Sequence, residues 1–196
     1  HLRDVSQIIG KKPGVHAFSG LSLLISQRGA IFFADTFITH DPTPEEVAET
    51  AVLAASAIQR FGITPRVALV SHSNFGSRDS ASARKMRAAL QLVRDQMPDL
   101  EIDGEMQGGS ALNEALRKRA MPNSTLSGEA NLLVFPNLDA ANISLGLTRT
   151  MMDALHVGPI MLGARLPAHI LSSTVTSRGV VNMAALAVAE ASQIQR

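Results

Sequence analysis

Short apolar runs alternate with stretches of helical periodicity along most of this chain. Leu21-Ser22-Leu23-Leu24-Ile25 and Ala30-Ile31-Phe32-Phe33-Ala34 read as strands. The connection Ser26-Gln27-Arg28-Gly29 has the length of a hairpin loop, so the two strands are expected to pair antiparallel. A helix start follows. Thr43 can cap, Pro44 occupies the first helical position and Glu46 stands three residues after Thr43, the pattern of a capping box. Val47, Ala51, Ala54, Ile58 and Phe61 then recur at helical spacing until Gly62 stops the run.

The alternation continues. Arg66-Val67-Ala68-Leu69-Val70 is a buried type of strand, and a second helix is expected over 80–97, with Met86, Leu90 and Val93 on one face and Pro98 at its end. Residues 100–103 read as a short strand, 110–120 as helix, 121–125 as loop and 131–135 as strand. Asp139 is placed to cap a helix reaching about 155, residues 157–162 include another apolar run, and 180–191 form a final Ala-rich helix. Strand and helix in alternation imply the α/β class. The expected architecture is a three-layer α/β/α sandwich with a mainly parallel sheet covered on both faces.

Composition narrows the function classes. Eighteen Lys and Arg oppose 17 Asp and Glu, a formal net charge of +1. That balance argues against a nucleic-acid partner and against a polybasic membrane surface. There is no Cys, which excludes disulfides, thiolate catalysis and Cys-based zinc sites, and no Trp or Tyr, which removes most base-stacking platforms. No run approaches the ~18 apolar residues of a membrane span, and no signal segment opens the chain. A cytoplasmic location is expected. The first residue is His1 rather than Met, which reads as a tag remnant or a piece of a longer protein.

Ligands of open α/β sheets bind beyond the C-terminal ends of the strands. The loop 71–78 lies there, and Ser73, Gly76, Ser77 and Arg78 form one candidate anion site, through backbone N–H groups and a guanidinium. The alternative is an ordinary strand-to-helix turn whose serines cap the helix. The segment Asp103-Gly104-Glu105-Met106-Gln107-Gly108-Gly109 offers an acid–base pair or a hard-metal site, or else a solvated turn. Asn137 and Asn142, after the next strand, could bind a polar ligand or serve as turn residues. The hydroxyl-rich run from Leu171 to Gly179 holds Ser172, Ser173 and Arg178, again a candidate anion site or a capped loop. None of the six histidines forms a metalloprotease pair. His72, beside Ser71 and Ser73, is a candidate base or a structural histidine, and there is no nucleophile elbow.

Several segments, in order, resemble the phosphotransacetylase family, which moves an acetyl group between acetyl phosphate and coenzyme A. They are Lys12-Pro13-Gly14-Val15, Phe33-Ala34-Asp35, Pro65-Arg66-Val67-Ala68, Gly76-Ser77, Asp103-Gly104-Glu105-Met106-Gln107, Ala130-Asn131-Leu132-Leu133-Val134-Phe135-Pro136-Asn137-Leu138, Asn142-Ile143 and Gly158-Pro159-Ile160. The resemblance implies two α/β/α domains, one inserted in the other. Residues 20–138 would be the complete inserted domain and 1–19 and 139–196 a partial flanking domain lacking its N-terminal part. A partly exposed apolar face on the final segment is then expected.

The departures from the family pattern bear on function. The family's Leu-Ser-Arg-Gly stretch, with an Asp six residues after the Arg that is thought to deprotonate the thiol of coenzyme A, aligns without a gap from Leu171. Ser172 keeps the Ser, Ser173 replaces the Arg and Gly179 replaces the Asp. A second register on Ser177-Arg178-Gly179 puts the Asp position at Ala184. The acid after Gln107 is also missing, and Phe75 stands where the phosphate loop has Lys. Losing such groups removes several kcal/mol of barrier lowering each. This pattern resembles the C-terminal domain fused to bacterial NADP-dependent malic enzymes, which implies a regulatory and oligomerisation module that binds acetyl-CoA or a related acyl-CoA. The resemblance further implies no catalytic residue, metal or cofactor in this domain, with NADP and a divalent metal on an N-terminal malic enzyme domain. It also implies a homo-oligomer, a dimer through the inserted domain with a hexamer open for the longer enzyme. The competing expectations are an active phosphate acetyltransferase using Ser172, Arg178 and Glu105, and a purely structural oligomerisation domain.

Overall fold

The computed structural model describes residues 1–173 and 175–194, and Thr174 of the hydroxyl-rich run lies outside them. A short helix α1 (Leu2–Ile8), not expected from the apolar pattern, precedes the hairpin β1 (Ser19–Ser26) and β2 (Gly29–Ala34). Then come α2 (Pro44–Arg60), β3 (Arg66–Val70), α3 (Ala81–Gln96), β4 (Glu101–Met106), α4 (Gly108–Ala111), α5 (Glu114–Ala120), β5 (Leu132–Val134), α6 (Leu138–Met151), β6 (Leu155–Leu162) and α7 (Ser177–Ile194). The strands form one six-stranded sheet in the order β4-β3-β5-β2-β1-β6. β4, β3, β5 and β2 pair parallel, and β1 pairs antiparallel with both β2 and β6.

Period-two alternation explains why the strands read as continuous apolar runs. Phe32, Leu132, Val67 and Leu69 face one side, where they pack on Val47, Ala51 and Ile58 of α2, Met86 and Val93 of α3, and Met183 of α7. Phe33, Leu133, Ala68 and Val70 face the other side, with Ala111 of α4 and Ala141 and Leu145 of α6. The result is the expected three-layer sandwich. α1 joins a smaller cluster, where Val5 packs against Phe18, Met161 and Ala164.

Local chemistry sets the element ends. At α2 the Thr43 hydroxyl accepts from the Glu46 amide (3.3 Å) and the Glu46 carboxylate accepts from the Thr43 amide (2.8 Å), completing the capping box. The hairpin is tighter than expected, because Ser26 pairs with Gly29 and leaves Gln27 and Arg28 as the loop. The helix expected over 110–120 is two, since Asn113 interrupts it and its side chain accepts from the Leu116 amide at 2.9 Å to cap α5. Asn137, rather than Asp139, caps α6, accepting from Ala140 at 2.9 Å. β4 runs through Met106, past the expected end at 103, because Met106 still pairs with Val70. Its polar residues are therefore in the sheet and buried, so 103–106 is no solvated turn.

Among the described residues no helix is long and apolar enough to cross a membrane. Val180, Val181 and Val188 of α7 are exposed, as are Ile143, Leu147 and Met151, which lie four residues apart along α6.

Candidate functional site

Four buried or partly buried polar groups tie the sheet to the loops around it. The Asp35 carboxylate, at the end of β2, accepts from the amides of Gly20 (3.0 Å), Phe37 (2.9 Å), Ile38 (3.1 Å) and Thr39 (2.8 Å), and so folds the segment after β2 back over β1. Glu105 is fully buried. Its Oε1 accepts from the Gly76 amide (2.9 Å) and from Arg87 (3.2 Å), and its backbone carbonyl accepts from the Phe75 amide (2.7 Å). Asp103 accepts from the Gly104 amide, Arg94, the Ser124 hydroxyl and the Thr125 amide. His156 donates to or accepts from Ser22 Oγ at 3.1 Å, and Ser22 contacts Thr36 Oγ1 at 2.9 Å. Burial, with Arg149 adding to it, holds the His156 imidazole below the ordinary value of 6.5.

The loop 71–78 spends its donors within itself and on the end of β4. The Arg78 amide donates to Ser73 Oγ (3.0 Å), the Asn74 amide to Ser77 Oγ (2.9 Å) and the Gly76 amide to Glu105. Gly76 sits at φ +85°, a conformation only glycine adopts freely. The Arg78 side chain is exposed and makes no hydrogen bond or ion pair among the described residues. Ser71 and His72 line a groove of about 450 Å³ with Val70, Phe135, Pro136 and Ala140, at the C-terminal ends of β3 and β5.

A second cavity, of about 530 Å³, is lined by Phe37, Ile38, Ile160 and Leu171, with Ser172 and Ser173 at its rim. Of the nine candidate binding residues, only Ser172 and Ser173 share this cavity. Asn137 is committed to capping α6, and the Asn142 amide donates to the Thr36 carbonyl at 3.4 Å, next to the cavity wall. Arg178 lies in the first turn of α7 and is exposed. Residue identity does not reveal the commitments of Asp35 and Asp103; the one sequence signal, for Asp35, is an acid that follows an apolar strand. Among the described residues no three His, Asp or Glu side chains converge on a point that could hold a metal ion.

A mixed sheet between two helical layers, with clefts beyond the C-terminal strand ends, is an α/β/α sandwich of the kind that takes ligands at its strand ends. The phosphate acetyl/butaryl transferase family model matches residues 1–188, and the chain belongs to that family. A phosphotransacetylase from Streptococcus pyogenes superposes with a TM-score of 0.93 at 32% identity, over 98% of this chain and 59% of that one. Among curated proteins, the NAD-dependent malic enzyme of Rhizobium meliloti is 73% identical over 98% of this chain and 25% of its own length. The NADP-dependent malic enzyme of Salmonella typhimurium is 49% identical, over 97% of this chain and 25% of its own length. The chain thus spans about a quarter of the length of the malic enzymes it matches.

Proposed function

We propose that this chain is the C-terminal, phosphotransacetylase-like regulatory and oligomerisation domain of an oxaloacetate-decarboxylating malic enzyme. That enzyme converts malate to pyruvate and CO2 with NAD or NADP. The relatives divide between the two nicotinamides, so the expectation of NADP becomes NAD(P). In this reading residues 20–138 are the inserted unit, and 1–19 with 139–196 belong to the flanking one. The ligand is acetyl-CoA or a related acyl-CoA, bound without transfer chemistry.

The observation that carries the reading is the family scaffold with Ser at 173 and Gly at 179, in place of the family's Arg and Asp. The cavity beside Ser172 and Ser173 supports it. Its apolar wall suits the arm of an acyl thioester, and its hydroxyl rim suits the carbonyl. The exposed stripe of Ile143, Leu147 and Met151 supports a covering partner, for which the malic enzyme portion is the candidate. Regulation requires that the ligand bind one conformation of the assembly better than another.

Calorimetric titration of the natural-length protein with acetyl-CoA, beside a coupled assay for acetyl-CoA formation from acetyl phosphate, tests both halves. Binding without turnover is expected, weakened by about 1.5–3 kcal/mol in Arg178→Ala if that guanidinium meets a phosphate. Absence of binding removes the ligand, and turnover abolished by Arg178→Ala establishes an active transferase instead.

A further inference from the structure

Away from Ser172 and Ser173, a third cavity of about 200 Å³ is lined by Lys12, Arg60, Arg165 and Glu190. The backbone builds its cationic wall. Residues 10–12 pair with 163–165: the Lys12 amide donates to the Gly163 carbonyl (2.9 Å), the Arg165 amide to the Gly10 carbonyl (3.0 Å), and Lys11 bridges Ala164. Gly163 lets residues 15–17 pack closely against this pairing. It sits at φ +87°, and a Cβ there would stand 3.0 Å from Val15 Cγ1 and 3.2 Å from the Ala17 carbonyl oxygen. Lys12 and Arg165 are thereby set on neighbouring backbones rather than left on independent loops.

The charges do not cancel. Glu190 is already engaged: its Oε1 stands 4.0 Å from Arg60, and its Oε2 stands 3.2 Å from Nε2 of the buried His169. His169 Nδ1 accepts from the Met161 amide, which places the proton of the neutral ring on Nε2, facing Glu190 but off the line of a hydrogen bond. Neither Lys12 nor Arg165 has a side-chain ion pair among the described residues. Three cations therefore meet one acid, in a chain whose total charge is only +1. Burial, and then the nearby Arg60, hold the Lys12 ammonium below its ordinary value, with Glu190 only partly offsetting them.

We propose that Lys12, Arg60 and Arg165 form a binding site for a phosphate group, distinct from the cavity beside Ser172. An arginine fork and a point-charge ammonium converging on one small concavity suit a compact dianion. The group arrives either as free phosphate or as the phosphate of a larger ligand, and the site does not depend on the acetyl-CoA reading.

The test is calorimetric titration of the natural-length protein with inorganic phosphate. Lys12→Met and Arg165→Gln are each expected to weaken binding about tenfold or more. Lys12→Arg should retain it, which separates lost charge from a damaged fold. Glu190→Gln removes the competing acid and should tighten binding several-fold, an effect that no loss of stability imitates. Competition by coenzyme A would assign the phosphate to that ligand, and its absence would assign it to a free anion. No phosphate binding, wild-type affinity in Lys12→Met and Arg165→Gln, or weaker binding in Glu190→Gln overturns the site. Phosphate binding without acetyl-CoA binding would remove the preceding proposal and leave this one standing.

Discussion

Arg117 is fully buried, and among the described residues no carboxylate bonds to it directly. Its Nε donates to Ser124 Oγ (3.1 Å), Nη1 to the Ser110 carbonyl (3.1 Å), and Nη2 to the carbonyls of Leu126 (3.1 Å) and Gly128 (2.6 Å). The Ser124 hydroxyl donates in turn to Asp103 at 2.7 Å, so the counter-charge is reached through one hydroxyl. The guanidinium thus ties α4, α5 and the segment leading to β5 into one unit. Arg117→Met keeps most of the side-chain volume and removes every donor. Bonds from a charged donor are worth about 1.5–3 kcal/mol each. Four of them would sum to roughly 6–12 kcal/mol, but the guanidinium's desolvation cost of several kcal/mol disappears with it. The expected net loss is therefore about 3–5 kcal/mol. With a urea slope of about 2–3 kcal/mol per molar, the unfolding midpoint should fall by roughly 1–2.5 M. Arg117→Lys, which keeps the charge but not the fork, should lie between wild type and Arg117→Met. A loss under about 1 kcal/mol in Arg117→Met would refute the view that this guanidinium holds the segment.

Glu105→Ala leaves Arg87 and the Gly76 amide without their shared partner, and should cost about 3–5 kcal/mol with faster hydrogen exchange at Gly76 and Arg78. Unchanged exchange there would show that the loop 71–78 holds itself. In Gly104→Ala the added Cβ would stand 2.7 Å from the Leu69 carbonyl oxygen at φ +152°, so a loss of about 1–3 kcal/mol or more in thermal unfolding is expected, and a neutral result would refute the close approach. His156 titrates below its ordinary 6.5 in the folded state, so the unfolded chain binds the proton first as pH falls. Its contribution to stability is whole above about pH 6.5 and is lost as pH falls from there toward the folded value. Urea midpoints taken from pH 7.5 to 5 should consequently drop more steeply for wild type than for His156→Gln, and parallel curves would count against it.

The amphipathic patterns carried the fold a long way. Two-sided apolar strands could be stable only between two helical layers, and Thr43, Pro44 and Glu46 could mark a helix start because capping needs residues within one turn. These are local or periodic properties, and they survive folding. The site was less legible. Ser73, Gly76 and Ser77 offered donors to an anion, yet the structure turns those donors inward because Glu105, nearly thirty residues away, reaches Gly76. Asp103 and Glu105 read from sequence as an acid–base pair, a hard-metal site or a solvated turn, whereas β4 continues to Met106 and buries both in the sheet.

What the sequence alone determined, then, is the layer architecture and the family, since both rest on residue identity and short spacing. The tertiary structure alone decided which charges are spent and which are left over. Arg117, in the run Arg117-Lys118-Arg119, reads as one cation among three on a solvated helix, and only the chain packed around it makes it a buried clamp. Lys12 and Arg165 lie far apart along the chain, and only the pairing of 10–12 with 163–165 brings them to one cavity. Burial and long-range pairing set the strength of a charge, and neither is a property of local sequence.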